Sequence, residues 1–124
     1  MPTIFTIGAA SARSFGLFGG GVVGSGGLWA WGYNNIGQLG LGNTTNYSSP
    51  KQVGALTTWS TVAAGTKFSL ATKTDGTLWA WGQNVVGQLG LGNTTNYYSP
   101  KQVGALTTWF KASAGFSSAL AIKS

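Results

Sequence analysis

Residues Leu28–Gly32 are LWAWG, and the same five letters return fifty positions later at Leu78–Gly82. Outward from this stretch, residues 28–59 recur as 78–109 with 28 of 32 positions identical. Within LWAWG the tryptophans alternate with leucine and alanine, which is the period of a β-strand. A repeat of this fidelity indicates one structural unit used twice. The sequence predicts two β repeats, 25–74 and 75–124, behind a glycine-rich arm of residues 1–24.

Each repeat contains signals for further short strands. Phe68–Lys73 alternates apolar and small or polar residues, and Asp75–Gly76 then supplies a hairpin turn. Pro50–Val53 is typical of an edge strand opened by proline, and Trp59–Ala64 of another short strand. Residues 37–43 hold too much glycine for a helix interior, so we expect a loop whose leucines plug the core. The predicted fold class is all-β, with two propeller-type four-stranded blades per chain.

The composition limits the classes of function. Charged residues make up 6% of the chain and apolar residues 43%, which argues against disorder. The formal charge of +6 comes from lysines and one arginine scattered singly, which favours a solubilising role over nucleic-acid binding. No apolar run reaches the roughly 18 residues of a membrane span, and we see no signal peptide. We therefore expect no membrane partner.

The residues that catalysis uses are missing. The chain has no histidine, no cysteine and a single acidic residue, Asp75, which belongs to the predicted hairpin turn. Gly19–Gly24 formally matches a dinucleotide-binding pattern, but a β-strand follows it and no acid lies about 20 residues on. We expect a protein that is not an enzyme, with no catalytic, cofactor-binding or metal-binding residues and no cofactor.

The repeat resembles that of the regulator of chromosome condensation family, whose members are usually seven-bladed propellers. The first repeat carries the matching residues Trp31-Gly32, Asn34, Gly37–Gly42, Pro50, Val53, Ala64-Gly65, Leu70 and Asp75-Gly76. The second carries Trp81-Gly82, Asn84, Gly87–Gly92, Pro100, Val103 and Ala114-Gly115. The family often has histidine where Phe68 and Ser118 stand. None of the family's residues for small GTPases or chromatin is matched, so that activity is not carried over.

Two blades cannot close a core alone, which predicts oligomerisation. Strand 28–31 has no repeat strand before it, and strand 119–123 has no hairpin partner after it. Joining them head to tail between subunits covers both edges and closes a ring, with a trimer of six blades favoured and a tetramer second. In the alternative, the arm folds back as the missing strand and leaves a smaller closed unit. The predicted self-assembly residues are Leu28, Trp29, Trp31, Phe110, Phe116, Leu120 and Ile122.

Three functions remain open. The arm residues 1–16 resemble leader arms of tailed-phage structural proteins, so the leading hypothesis is a virion component of the tail or capsid surface, whose arm contacts other virion proteins. Its location would be the virion or the extracellular space, with the cytoplasm left open. The second is a lectin that binds surface glycan through polar loops, and the third a propeller-type module for proteins or nucleic acid. The candidate ligand-binding residues are Asn43, Asn46, Tyr47, Asn93, Asn96 and Tyr97, for which capped turns are the alternative interpretation.

Overall fold

The computed structural model describes residues 5–7 and 25–124. These residues form β-strands joined by loops, which confirms the all-β prediction. Among them, no helix is long and apolar enough to cross a membrane. In chain order the strands are β1 (Phe5–Ile7), β2 (Leu28–Gly32), β3 (Tyr47–Gln52), β4 (Trp59–Ala64), β5 (Phe68–Lys73), β6 (Leu78–Gly82), β7 (Tyr97–Gln102), β8 (Trp109–Ala114) and β9 (Ala119–Lys123).

The strands form three sheets. The first sheet has the order β1-β2-β3, the central sheet β4-β5-β6-β7, and the last sheet β8-β9. The complete four-stranded sheet thus combines the second half of the first repeat with the first half of the second. The sheets are half a repeat out of phase with the predicted units 25–74 and 75–124. Instead of two complete blades, the described residues form one, flanked by two partial sheets.

The predicted hairpin joins the two repeats. Asp75 accepts hydrogen bonds from the backbone amide of Thr77 at 3.0 Å and from its hydroxyl at 2.6 Å. Gly76 follows with φ +84°, a region that glycine enters without steric penalty. β5 and β6 then pair antiparallel from Phe68↔Gly82 to Thr72↔Leu78. The repeat boundary therefore lies inside one sheet, which explains the half-repeat offset.

Two hydrophobic cores separate the three sheets. The core between the first and central sheets includes Leu28, Leu39 and Trp81, all fully buried. The core between the central and last sheets includes Phe68 and Leu89. The loop leucines plug these cores as predicted. The sheets consequently stack face to face in chain order.

β1 covers one edge of the first sheet. It pairs parallel with β2, in the register Phe5↔Leu28, Thr6↔Trp29 and Ile7↔Ala30. Every other pair of neighbouring strands is antiparallel. β1 holds the position beside β2 that β5 holds beside β6. Part of the arm thus takes the place of the missing repeat strand, as in the alternative to the ring. The remaining arm residues, 1–4 and 8–24, lie outside the described residues.

Candidate functional site: the uncovered face of the second repeat

The contact between the first and central sheets shows how one sheet seats on the next. Trp81 is fully buried, and its indole nitrogen donates a hydrogen bond of 2.9 Å to the backbone carbonyl of Gln38. The Ser69 hydroxyl donates to the same carbonyl at 2.8 Å. Gly40 lies beneath the ring, where a Cβ atom would come within 2.7 Å of the indole nitrogen. We call Gly40 and the Gln38 carbonyl the filled seat.

The loop around the filled seat also holds β7. A Cβ on Gly37 would lie 2.7 Å from the Tyr98 Cα atom, so only glycine fits. The amide of Gly42 donates to the Tyr98 carbonyl at 2.8 Å. The glycine loop of the first repeat is therefore a docking surface for the first two strands of the next repeat, β6 and β7.

The equivalent surface in the second repeat is uncovered. Gly90 and the carbonyl of Gln88 correspond to the filled seat, and we call them the open seat. A Cβ on Gly90 would meet only a Val103 methyl group at 3.5 Å. Among the described residues, nothing lies within 4 Å of a Cβ on Gly92, and no indole donates to the Gln88 carbonyl. Gly90 is exposed, whereas Gly40 is buried.

A groove runs beside the open seat. Its volume is about 540 Å³, and it lies between the glycine loop of the second repeat and β9. Leu120 on this side of β9 is 78% exposed, although its counterpart Leu70 is only 2% exposed. Trp109 is partly buried, whereas its counterpart Trp59 is fully enclosed. The groove is the place that the two strands of a following repeat would fill.

At four positions the second repeat is apolar where the first repeat is polar. Val85, Phe110, Phe116 and Ile122 are all exposed large apolar residues. Their counterparts in the first repeat are polar, namely Asn35, Ser60, Thr66 and Thr72. Leu120 and Ile122 share one face of β9, Phe110 lies at the start of β8, and Phe116 lies in the turn between the two strands. We call these four exposed residues of the last hairpin the open patch. Exposed apolar surface of this kind marks an interaction site.

One of these substitutions leaves a trace in hydrogen bonding. In the first repeat the Gln38 side-chain amide donates to Asn35 at 3.2 Å. Val85 replaces that acceptor in the second repeat, and among the described residues the buried Gln88 Nε2 has no partner. A buried unpaired amide is destabilising, so this position favours a neighbour that supplies an acceptor.

The structure separates the predicted self-assembly residues into two groups. Phe110, Phe116, Leu120 and Ile122 are each exposed on the hairpin of β8 and β9. Leu28 is buried in the chain's own first core, and Trp29 and Trp31 are partly buried on β2. Trp31 is less buried than its counterpart Trp81, because among the described residues only Trp81 lies against the glycine loop of a preceding repeat. The roles of the seven residues in assembly stay predictions.

The predicted ligand-binding loops are braced internally. Asn34 is fully buried, and its amide donates to the Asn43 and Thr45 carbonyls, both at 3.0 Å. The side-chain carbonyl oxygen of Asn34 accepts a hydrogen bond from the Leu39 backbone amide at 3.0 Å. The backbone amide of Asn34 donates to the side-chain oxygen of Asn46 at 2.7 Å.

The second loop repeats this bracing around Asn84, with Asn93 and Asn96 in the corresponding positions. Asn43 and Asn93 also donate to the hydroxyls of Tyr47 and Tyr97, both at 3.2 Å. Asn34 and Asn84 are therefore the hydrogen-bonding hubs of the two loops. The sequence retains this asparagine in both repeats, but the retention alone did not reveal its role. Glycan binding by these loops stays a prediction.

A second groove, of about 430 Å³, lies where tryptophans meet between the first and central sheets. Lys73 Nζ stands 3.9 Å from the ring centroid of Trp79 and 4.8 Å from that of Trp59. Burial lowers the pKa of Lys73, and the nearby Asp75 carboxylate opposes this effect. The ammonium group occupies the ring faces that would otherwise stack a base or a sugar.

The described residues contain no group of three or more histidine, cysteine, aspartate or glutamate side chains. Asp75 serves the hairpin, and its hydrogen bonds with Thr77 lower its pKa. The arrangement of this part of the chain therefore offers surfaces for docking and no cluster of titratable groups.

Comparison with known proteins agrees with the repeat pattern. The model of the regulator of chromosome condensation (RCC1) repeat matches residues 25–72 and 75–122. A second model of the same repeat matches residues 59–88, which span the repeat boundary. No curated protein matches the chain significantly.

Solved structures share the fold. Human WBSCR16 is 24% identical with a TM-score of 0.69, over 80% of this chain and 27% of that one. Yeast RCC1 (Prp20) bound to Kap60 is 20% identical with a TM-score of 0.66, over 75% and 25%. Prp20p from Saccharomyces cerevisiae is 20% identical with a TM-score of 0.57, over 70% and 24%.

The chain thus spans about a quarter of each of these structures. Stacked antiparallel sheets, a fifty-residue period and two family matches that cover most of residues 25–124 agree with one another. Together they show that the chain belongs to the regulator of chromosome condensation (RCC1) repeat family of β-propellers.

Proposed function

We propose that this protein is a non-enzymatic structural component that associates head to tail with copies of itself into a closed β-propeller. The observation that carries the proposal is the exposure of the open patch beside the open seat. The second repeat has become apolar at positions where the first repeat, which is covered by a neighbour, is polar. Burial of exposed apolar side chains against a partner is favourable in water.

A second copy of the chain has the complementary surface. β8 and β9 are the counterparts of β4 and β5, whereas β2 and β3 are the counterparts of β6 and β7. In this proposal, β8 and β9 of one copy and β2 and β3 of the next therefore make up one four-stranded blade. With two repeats per copy, three copies give a six-bladed ring and four copies an eight-bladed ring. We favour the trimer.

The setting we propose for this ring is a phage virion, on its tail or capsid surface. Support comes from the resemblance of residues 1–16 to leader arms of tailed-phage structural proteins. In this proposal the arm contacts other virion proteins while the propeller faces outward. Antibody labelling of particles tests the setting, since the chain must co-purify with virions and be visible on their surface.

The self-association is tested by returning the open patch to the chemistry of the first repeat. The variant Phe110→Ser, Phe116→Thr and Ile122→Thr places at each site the residue found fifty positions earlier. Because these side chains are exposed in the single chain, folding should be retained and sedimentation should shift from oligomer to monomer. A matched control, Leu56→Thr, removes an exposed apolar residue away from the patch and should leave the oligomer intact. An unchanged oligomer in the triple variant would contradict the proposal.

A second candidate function is a protein- or nucleic-acid-interaction module. The solved Prp20p structure is described together with its binding to Gsp1p and histones. This chain carries a formal charge of +6, and Lys51, Lys101 and Lys111 are exposed. Retention on DNA that falls steeply with salt would favour this function, since phosphate contacts release counterions.

A further inference from the structure

We infer that β1 is a placeholder strand that β9 of a second copy replaces beside β2 during assembly. Trp31 of the copy that has lost its β1 pairing then enters the open seat of the second copy. This inference rests on the proposed self-association and specifies its mechanism. Strand exchange also releases the arm segment Phe5–Ile7 from β2, so this segment is free for other contacts only when the propeller is complete.

The placeholder role follows from the position of β1. β1 lies on the edge of β2 opposite β3, and β5 lies on the edge of β6 opposite β7. Since β2 and β6 share the sequence LWAWG, the two edges accept the same kind of neighbour. β9 is the counterpart of β5, and among the described residues no strand pairs with its outer edge. β1 and the β9 strand of another copy therefore compete for one edge.

The register of the exchanged pair can be transferred from the central sheet. There, Leu70 pairs with Ala80 and Ala71 with Trp79. Leu120 is the counterpart of Leu70, and Ala30 is the counterpart of Ala80. The transferred register therefore pairs Leu120 of one copy with Ala30 of the other, and Ala121 with Trp29. The side chains of directly opposed residues lie on one face of the sheet, and those of the next residue along lie on the other.

The pairing that is gained exceeds the pairing that is lost. β1 and β2 share three residue pairs in a parallel ladder, whereas β5 and β6 share five in an antiparallel ladder. Parallel pairing is also slightly weaker per residue. In addition, the exchange covers Leu120 and Ile122, whose counterparts Leu70 and Thr72 are buried in the complete central sheet. Both effects favour the strand from the second copy.

The open seat selects the tryptophan. Trp31 is partly buried, and among the described residues it belongs to neither hydrophobic core. Its counterpart Trp81 fills a seat of the same construction and donates to the Gln38 carbonyl. The second repeat offers Gly90 and the Gln88 carbonyl. In the filled seat the Ser69 hydroxyl also donates to the Gln38 carbonyl, but its counterpart in the second repeat is Ala119. Of the two side-chain donors in the filled seat, only the indole therefore has a counterpart that can donate to the Gln88 carbonyl, namely that of Trp31.

Disulfide trapping tests the exchange on a chain that contains no native cysteine. Ala30→Cys with Leu120→Cys places thiols on opposed residues of different copies, within the reach of a disulfide. Mild oxidation should give a ladder of covalent oligomers. The control, Ala30→Cys with Ala121→Cys, moves one thiol to the other face of β9 and should give little cross-linking.

A second pair locks the placeholder. Ile7→Cys with Ala30→Cys joins partners in the β1–β2 register within one chain. The oxidised protein should remain monomeric, and reduction should restore assembly.

These outcomes separate the inference from the proposed function. An oligomer that fails to trap through Ala30 and Leu120, or that still forms when β1 is locked, overturns strand exchange and leaves self-association standing. A chain that is monomeric under all conditions overturns both.

Discussion

The sharpest consequence for stability concerns Gly40 and Gly90, which occupy the same position in the two repeats. Their φ angles are +77° and +72°, so alanine introduces similar backbone strain at both, about 1–2 kcal/mol. At Gly40 the new methyl group would also lie 2.7 Å from the indole nitrogen of Trp81. Forcing an extra methyl group into such packing adds about 1–3 kcal/mol. At Gly90 the nearest described side-chain atom is 3.5 Å away, so that addition is absent.

The two variants are compared by urea unfolding in a Trp31→Ala background, which removes the side chain proposed to fill the open seat. With an m-value of about 1–3 kcal/mol/M, an extra loss of ~2 kcal/mol lowers the unfolding midpoint of Gly40→Ala by about 1 M relative to Gly90→Ala. Without the Trp31 change, Gly90→Ala should block oligomerisation while its monomer remains folded. Equal midpoints for the two variants would refute the assignment of one filled and one open seat.

Two further predictions concern the loops. Asn34→Ala leaves the buried Leu39 amide and two loop carbonyls without their partner, so unfolding free energy should fall by about 2–4 kcal/mol, whereas the neighbouring exposed Thr44→Ala should change it by less than about 0.5 kcal/mol. Similar losses in both variants, measured by urea unfolding, would argue against the hub. Because hydrogen bonds from Thr77 lower the folded-state pKa of Asp75, its stabilising contribution is present above the unfolded-state pKa of about 4 and lost as pH falls through the lowered pKa. Asp75→Asn should therefore flatten the dependence of thermal stability on pH in the acidic range, and an unchanged dependence would contradict this role.

The sequence predicted the elements of the fold better than their grouping. Alternation in LWAWG and in Phe68–Lys73 is a local signal, and both segments are strands. Which strands share a sheet depends on neighbours far along the chain. The predicted Asp75–Gly76 hairpin already joined the end of one repeat to the start of the next. A repeating sequence, however, does not show at which position each structural unit begins. The predicted units consequently lie half a repeat away from the sheets.

The local sequence could not predict which of two identical residues is buried. Trp31 and Trp81 stand in the same five-residue context, but Trp81 has a preceding glycine loop to cover it. Burial is a property of the neighbouring blade, so the same letters produce one core residue and one partly exposed residue. The same reasoning applies to Leu70 and Leu120, which are identical in type and opposite in exposure.

The central claim is that copies of this chain complete one another's propeller. Native mass spectrometry of the 124-residue chain tests it most directly, because the mass counts the copies without assuming an interface. The account predicts a dominant species at three times the 12.7 kDa mass of the chain, with four copies as the other ring that closes. A single species at the mass of one chain, folded and stable on dilution and concentration alike, would contradict it.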